Sequence, residues 1–142
     1  MKIFEALRKD HDKQRALVKM ILDTQGDSST RKDFFRQLKC ELATHAVAEE
    51  RFFYAPLMHT DQTVDMSRHG VAEHHQIDKL VAELEKTDMS SANWLSTFKK
   101  LADKIEHHLA EEERVFFQQA GKAFSEKEKI DLADEYLAQM KT

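Results

Sequence analysis

Apolar residues recur in alternating three- and four-residue steps along most of the chain, a spacing that predicts helices with one buried face. The first helix is expected over about 3–24, carrying Phe4, Leu7, Val18 and Ile21, and ends before Gly26-Asp27-Ser28-Ser29. A second runs from near Arg31 to Ala55 with Phe35, Leu38, Leu42 and Phe52 on its stripe. Pro56 should stop it, because the residue before a proline avoids helical angles. After a loop through Met58, Asp61 and Thr63, a third helix over about 65–86 presents Ile77, Val81 and Leu84. The fourth, about 92–119, presents Trp94, Phe98, Leu101, Ile105 and Val115. A short fifth helix begins at Ser125, which forms a capping-box pattern with Glu128. Its Ile130, Leu132, Leu137 and Met140 can pack on the bundle or on a partner. No segment alternates at period two, so the prediction is all-α. The architecture expected is an antiparallel up-down four-helix bundle with a short C-terminal helix, one domain over 1–142.

Six polar residues interrupt the apolar stripes: His11, His45, Glu49, His74, His108 and Glu112. They also obey an internal repeat. A shift of 63 residues lays His11 on His74, His45 on His108 and Glu49 on Glu112. Asp10 falls on Glu73, Phe35 on Phe98, Arg51 on Arg114 and Phe53 on Phe116. Each half, about 3–56 and 65–120, therefore reads as a helical hairpin, and the two pack about a pseudo-twofold axis. Neighbours on a helix point about 100° apart, so the repeat selects His74 over His75 and His108 over His107. At the helical rise, each of the four imidazoles lies roughly 12–16 Å from the same end of the bundle. They should share one level.

A lone carboxylate in a bundle core would protonate before it stayed charged. Two glutamates among four imidazoles are best reconciled by cations. Imidazole suits iron, zinc, copper or nickel, whereas calcium and magnesium prefer oxygen shells. The i, i+4 spacing of His45/Glu49 and His108/Glu112 puts nitrogen and oxygen donors one turn apart on one face. If each glutamate bridges two ions, each ion receives two nitrogens and two oxygens, with positions left open for another ligand. Such a centre favours binding or redox chemistry; a purely structural zinc site is the blander reading.

Other features narrow the field. The formal net charge is −4 with both signs interleaved, and no basic stripe points to nucleic acid. No apolar run approaches the roughly 20 residues that span a bilayer, and the N-terminus has no apolar signal region. One cysteine, Cys40, fits a reducing cytoplasm and is expected as a buried thiol. Within Glu111-Glu112-Glu113, only Glu112 is expected to turn inward. Phe34, Phe52, Phe53, Phe116 and Phe117 are expected to pack between the hairpins, and Tyr54 lies close enough to be a redox or hydrogen-bonding neighbour. His59, His69, His75 and His107 fall outside the repeat. No histidine has a glutamate three residues before it, no His-Glu-x-x-His occurs, and there is no glycine-rich phosphate loop. Nothing marks chemistry on an organic substrate.

The Asp10-His11-Asp12 start, the paired His-x-x-x-Glu motifs at His45/Glu49 and His108/Glu112, and His74 between them resemble the hemerythrin-like (HHE) cation-binding domain, from about Phe4 to Phe117. The resemblance implies a non-haem di-iron centre bridged by carboxylates, with His11, His45, His74 and His108 as terminal ligands and Glu49 and Glu112 as bridges. It implies a role in carrying or sensing oxygen, handling nitric oxide, handling iron or repairing damaged iron centres. An alternative is a redox enzyme acting on nitric oxide or peroxide at the same centre. Where oxygen carriers of this family have a fifth histidine, one turn after the third-helix ligand, this chain has Asp78. The additional domains of the family's repair and iron-sensing members are not expected here.

Overall fold

A computed structural model describes residues 1–142, and it is helical throughout. Helix α1 (Ile3–Leu22) turns at Gly26, whose φ of 59° lies in the left-handed region that glycine tolerates. Ser28 then accepts from the Arg31 amide and starts α2 (Ser29–Glu49). Helix α2 runs without a break into a π-helical turn, Glu50–Tyr54, and a last turn, Ala55–Leu57. Pro56 therefore sits inside the final turn rather than beyond it. Helices α3 (Val64–Glu85) and α4 (Ala92–Glu111) form the second hairpin, with Ser91 capping α4 through the Trp94 amide. A second π-helical turn, Glu112–Phe116, follows α4 and leads into Phe117–Ala123. The expected Ser125–Glu128 capping box opens α5 (Glu126–Met140), which lies along α1 and also touches α2.

The interior is two apolar clusters with a polar layer between them. One contains Phe35, Leu38, Trp94, Phe98 and Leu101. At its end, the buried Arg31 guanidinium bonds the carbonyls of Thr24 and Met89 and lies over the Trp94 ring, tying the two hairpin turns together. The other contains Ile3, Leu7, Phe53, Phe117, Phe124 and Tyr136. Burying several large side chains at each end, at about 1.5–3 kcal/mol apiece, offsets the cost of keeping polar groups in the layer between.

The π-helical turns correct the stripe read from the sequence. Extrapolating three residues past Glu49 and Glu112 gave Phe52 and Val115 as core positions. Instead Phe52 is only half-buried and Val115 is exposed, while Phe53, Tyr54, Phe116 and Phe117 are buried. A π turn spends one extra residue per turn, so the register slips by one just after each glutamate. Cys40 is also exposed rather than buried, because it falls between Leu38 and Leu42 on the opposite face of α2. On α5 the inward residues are Ala133 and Tyr136, and Ile130 faces out.

Candidate metal centre

His11 from α1, His45 and Glu49 from α2, His74 from α3, His108 from α4 and Glu112 at the second π turn are all buried. They converge in one layer. Their donor atoms form two groups, His11/His45/Glu49 and His74/His108/Glu49/Glu112, each with its atoms within 4.8 Å of one another. Glu112 also spans the groups: its Oε1 is 2.9 Å from His11 Nε2 and its Oε2 is 3.2 Å from His108 Nε2. Glu49 does the same, with Oε1 3.0 Å from His74 Nε2 and 3.5 Å from His45 Nε2, and Oε2 3.9 Å from His11 Nε2. Both carboxylates thus face both histidine pairs.

Each imidazole is held from behind by its other nitrogen. His11 Nδ1 lies 2.8 Å from Glu113, His74 Nδ1 lies 2.7 Å from Glu50, and His108 Nδ1 lies 2.8 Å from Glu73. His45 Nδ1 donates to the Tyr136 oxygen at 2.5 Å, and the Tyr136 hydroxyl donates to Asp10. These supports obey the 63-residue repeat, Glu50 matching Glu113 and Asp10 matching Glu73. The one irregularity has a simple cause. Asp10 is a methylene shorter than Glu73 and stops 3.8 Å from His45 Nδ1, so Tyr136 from α5 completes the connection.

With Nδ1 occupied, Nε2 points inward. The Nε2 atoms of His11, His45 and His108, together with Glu49 Oε2 and Glu112 Oε1, are buried and make no well-aligned hydrogen bond, close as the histidines and carboxylates lie. Buried polar atoms normally find partners, and a cation in this layer would supply one for all five. Imidazoles backed by carboxylates are also how histidine ligands are oriented on metals. The donor set therefore fits a metal.

Electrostatics point the same way. Burial alone would push His74 down, but its hydrogen bonds to Glu49 and Glu50 hold it up at about 9. His11 and His108 are likewise raised despite burial, through Glu112 and the other carboxylates around them. Burial works against the Glu49 charge, yet His45 and the surrounding histidines keep it well below the usual carboxylate range. Without metal, protons on the imidazoles balance the glutamates; a metal ion would displace them.

The sequence did not single out Glu50, Glu73, Glu113, Asp10 or Tyr136 as parts of the site. Glu113 in particular was read as a solvated residue. It instead accepts from His11 and is gripped by Arg15 at 2.9 and 3.1 Å. The repeat was the available signal for four of the five, since each carboxylate matches another. Tyr136 lies outside the repeat and had none.

Two aromatic neighbours break the symmetry. The Tyr54 hydroxyl donates to Glu112, whereas Phe117, 63 residues on, stacks against His11 at 5.9 Å and 16°. Gly70 makes room for the phenol: a Cβ there would sit 2.3 Å from Tyr54 Cζ. A cavity of about 10 Å³ adjoins the layer, lined among others by Gln14, His45, His74, Asp78 and His108. The Gln14 side-chain amide nitrogen is buried there without a partner. No helix is long and apolar enough to cross a membrane.

Comparison with curated proteins finds no match. Among solved structures, the fold is similar to that of a hemerythrin HHE cation-binding domain-containing protein from Mycobacterium kansasii. The TM-score is 0.90 at 22% identity, over 99% of this chain and 86% of that one. The hemerythrin HHE cation-binding domain model matches residues 2–120, the stretch that supplies all six inward donors. This chain belongs to the hemerythrin HHE cation-binding domain family.

Proposed function

We propose that the polar layer holds two iron ions, one at His11/His45 and one at His74/His108, with Glu49 and Glu112 bridging, and that the centre binds or senses oxygen or nitric oxide or handles iron. The observation that carries this reading is the division of four histidines into two pairs with both carboxylates facing both pairs. A single-ion site would not need Glu49 to belong to two donor groups. Iron bound there would supply reversible redox chemistry and affinity for small diatomic ligands.

The residues around the layer support such a role. The cavity beside the histidines has room for about one water-sized group. Gln14 offers an unpaired amide N–H at its wall, and Asp78 stands at its edge where oxygen carriers of this family have a histidine. Phe117, stacked on His11, and Leu42, at the cavity wall, are buried apolar neighbours of the layer. The four outer supports fix each imidazole with Nε2 inward before any ion arrives, so little reorganisation is needed on binding. The proposed setting is the cytoplasm.

A second reading, a redox enzyme that reduces nitric oxide or peroxide, is favoured by Tyr54, an oxidisable phenol that donates to Glu112. Steady-state turnover with an electron donor separates the two. Stoichiometric ligand binding without turnover supports the binding role, and sustained consumption of nitric oxide or peroxide supports the enzyme. Metal analysis with an optical spectrum tests the di-iron centre itself.

A further inference from the structure

Two His-x-x-x-Glu pairs lie outside the repeat. His69 and Glu73 are one turn apart on α3, and His107 and Glu111 are one turn apart on the neighbouring α4. Their equivalents in the first hairpin are Ala6, Asp10, Thr44 and Ala48, so only one of the four positions keeps a candidate donor. The pseudo-symmetry of the buried layer therefore accounts for Glu73 but not for His69, His107 or Glu111.

The structure brings these residues together at the surface. His69 Nε2 is 3.0 Å from Glu111 Oε1 and 3.5 Å from Glu73 Oε2. Donor atoms of His69, Glu73 and Glu111 all lie within 4.8 Å of one another. His107 Nε2 is 3.7 Å from the same Glu73 oxygen. Glu111 Oε1 is buried and makes no hydrogen bond, despite its closeness to His69. Phe116 packs edge-on against the His69 ring at 6.2 Å and fixes one side of it. Lys104 Nζ, 3.3 Å from Glu73 Oε2, is the one cation in place. It sits on a flexible stem beside solvent and can swing away.

We infer that His69, Glu73 and Glu111, with His107 in reach, form a second metal site that binds one divalent transition-metal ion outside the buried layer. One or two imidazoles with two carboxylates suit borderline ions such as Fe(II), Co(II) or Zn(II) better than calcium or magnesium. Glu73 connects this site to the buried one. Its Oε2 faces the surface cluster while its Oε1 holds His108 Nδ1 at 2.8 Å. An ion at the surface is thus separated from a buried ligand histidine by one carboxylate. The site serves as a loading station for the buried centre; this role rests on the di-iron reading, whereas the binding site does not.

Co(II) is the probe for the site, titrated by equilibrium dialysis into protein whose buried centre is already filled with iron. The wild-type protein should take up one further Co(II) per chain, with visible d–d bands. The doubly substituted His69→Ala/Glu111→Gln protein should lose affinity for it on the order of tenfold or more, and His107→Ala should lose less. Unchanged cobalt binding in the double variant, or no cobalt beyond the filled centre in the wild type, overturns the site. The loading role is read from the rate at which metal-free protein takes up Fe(II), with final stoichiometry as the control. Slower uptake to the same end point in the double variant supports it, and equal rates overturn it. A wild-type protein that never fills its centre would instead count against the di-iron reading.

Discussion

The two histidine pairs share two carboxylates that face both of them, but not their surroundings. The His11/His45 side is closed: Phe117 stacks on His11, and Tyr136 from α5 seals His45 through a phenol held by Asp10. On the His74/His108 side the neighbours are a phenol and two further histidines. Tyr54 reaches Glu112, and Glu73 runs from His108 out to His69, His107 and Lys104. A repeat that places equivalent donors has been fitted with unequal neighbours. Reactivity and loading are therefore expected on the second side, and rigidity on the first.

The largest expected effect erases the difference altogether. Glu112→Ala removes a carboxylate that touches both pairs, so metal content should fall by more than half and both sides should lose affinity together. Metal analysis after gel filtration reads this directly; loss of one ion with the other unaffected would show that Glu112 is no bridge.

Tyr136→Phe should act on the closed side only. Removing the support behind His45 is expected to weaken metal affinity there by about 10–100-fold. Adding Asp10→Glu should restore much of it, since the longer carboxylate can then reach His45 as Glu73 reaches His108. Competition with a chromophoric chelator measures both variants.

The pH dependence of the metal-free protein is next. His74 is held at about 9 when folded, against 6.5 in the unfolded chain. A raised folded value means its contribution to stability is complete below about 6.5 and is lost as pH climbs through about 9. The melting temperature of metal-free protein should therefore drop between pH 7 and 9, more steeply than that of loaded protein, in calorimetric scans. At the acid end, Glu73 and Glu113, each held at about 2, lose their contribution as pH falls from 4.5.

Tyr54→Phe is expected to be smallest. It deletes one buried hydrogen bond to a charged acceptor, worth about 1.5–3 kcal/mol in denaturant unfolding, and should perturb the optical spectrum of the loaded centre without changing metal stoichiometry. A shift confined to the His74/His108 ion would sharpen the contrast between the sides.

The fold and the inward six residues were legible because each rests on periodicity: helical stripes, then a repeat that doubled every signal. Legibility failed where the period itself changed. The π turns after Glu49 and Glu112 left Phe52 half-buried and Val115 exposed, against the stripe, while Phe53, Phe116 and Phe117 are buried as expected, and no residue type in those stretches announces a π turn. The supports behind the histidines were half-legible. Glu50, Glu73, Glu113 and Asp10 repeat, but on the sequence they look like ordinary surface acids. Tyr136 was invisible, since its role depends on where α5 docks and on the missing methylene of Asp10.

The most direct test of the account is metal analysis of protein purified without oxygen, loaded with iron and cleared of loosely held ions with a weak chelator, with optical spectra before and after air. Two irons per chain, and charge-transfer bands near the ultraviolet edge on oxidation, are predicted. One zinc per chain, or no metal retained after iron loading, would contradict it and leave the polar layer as a structural core.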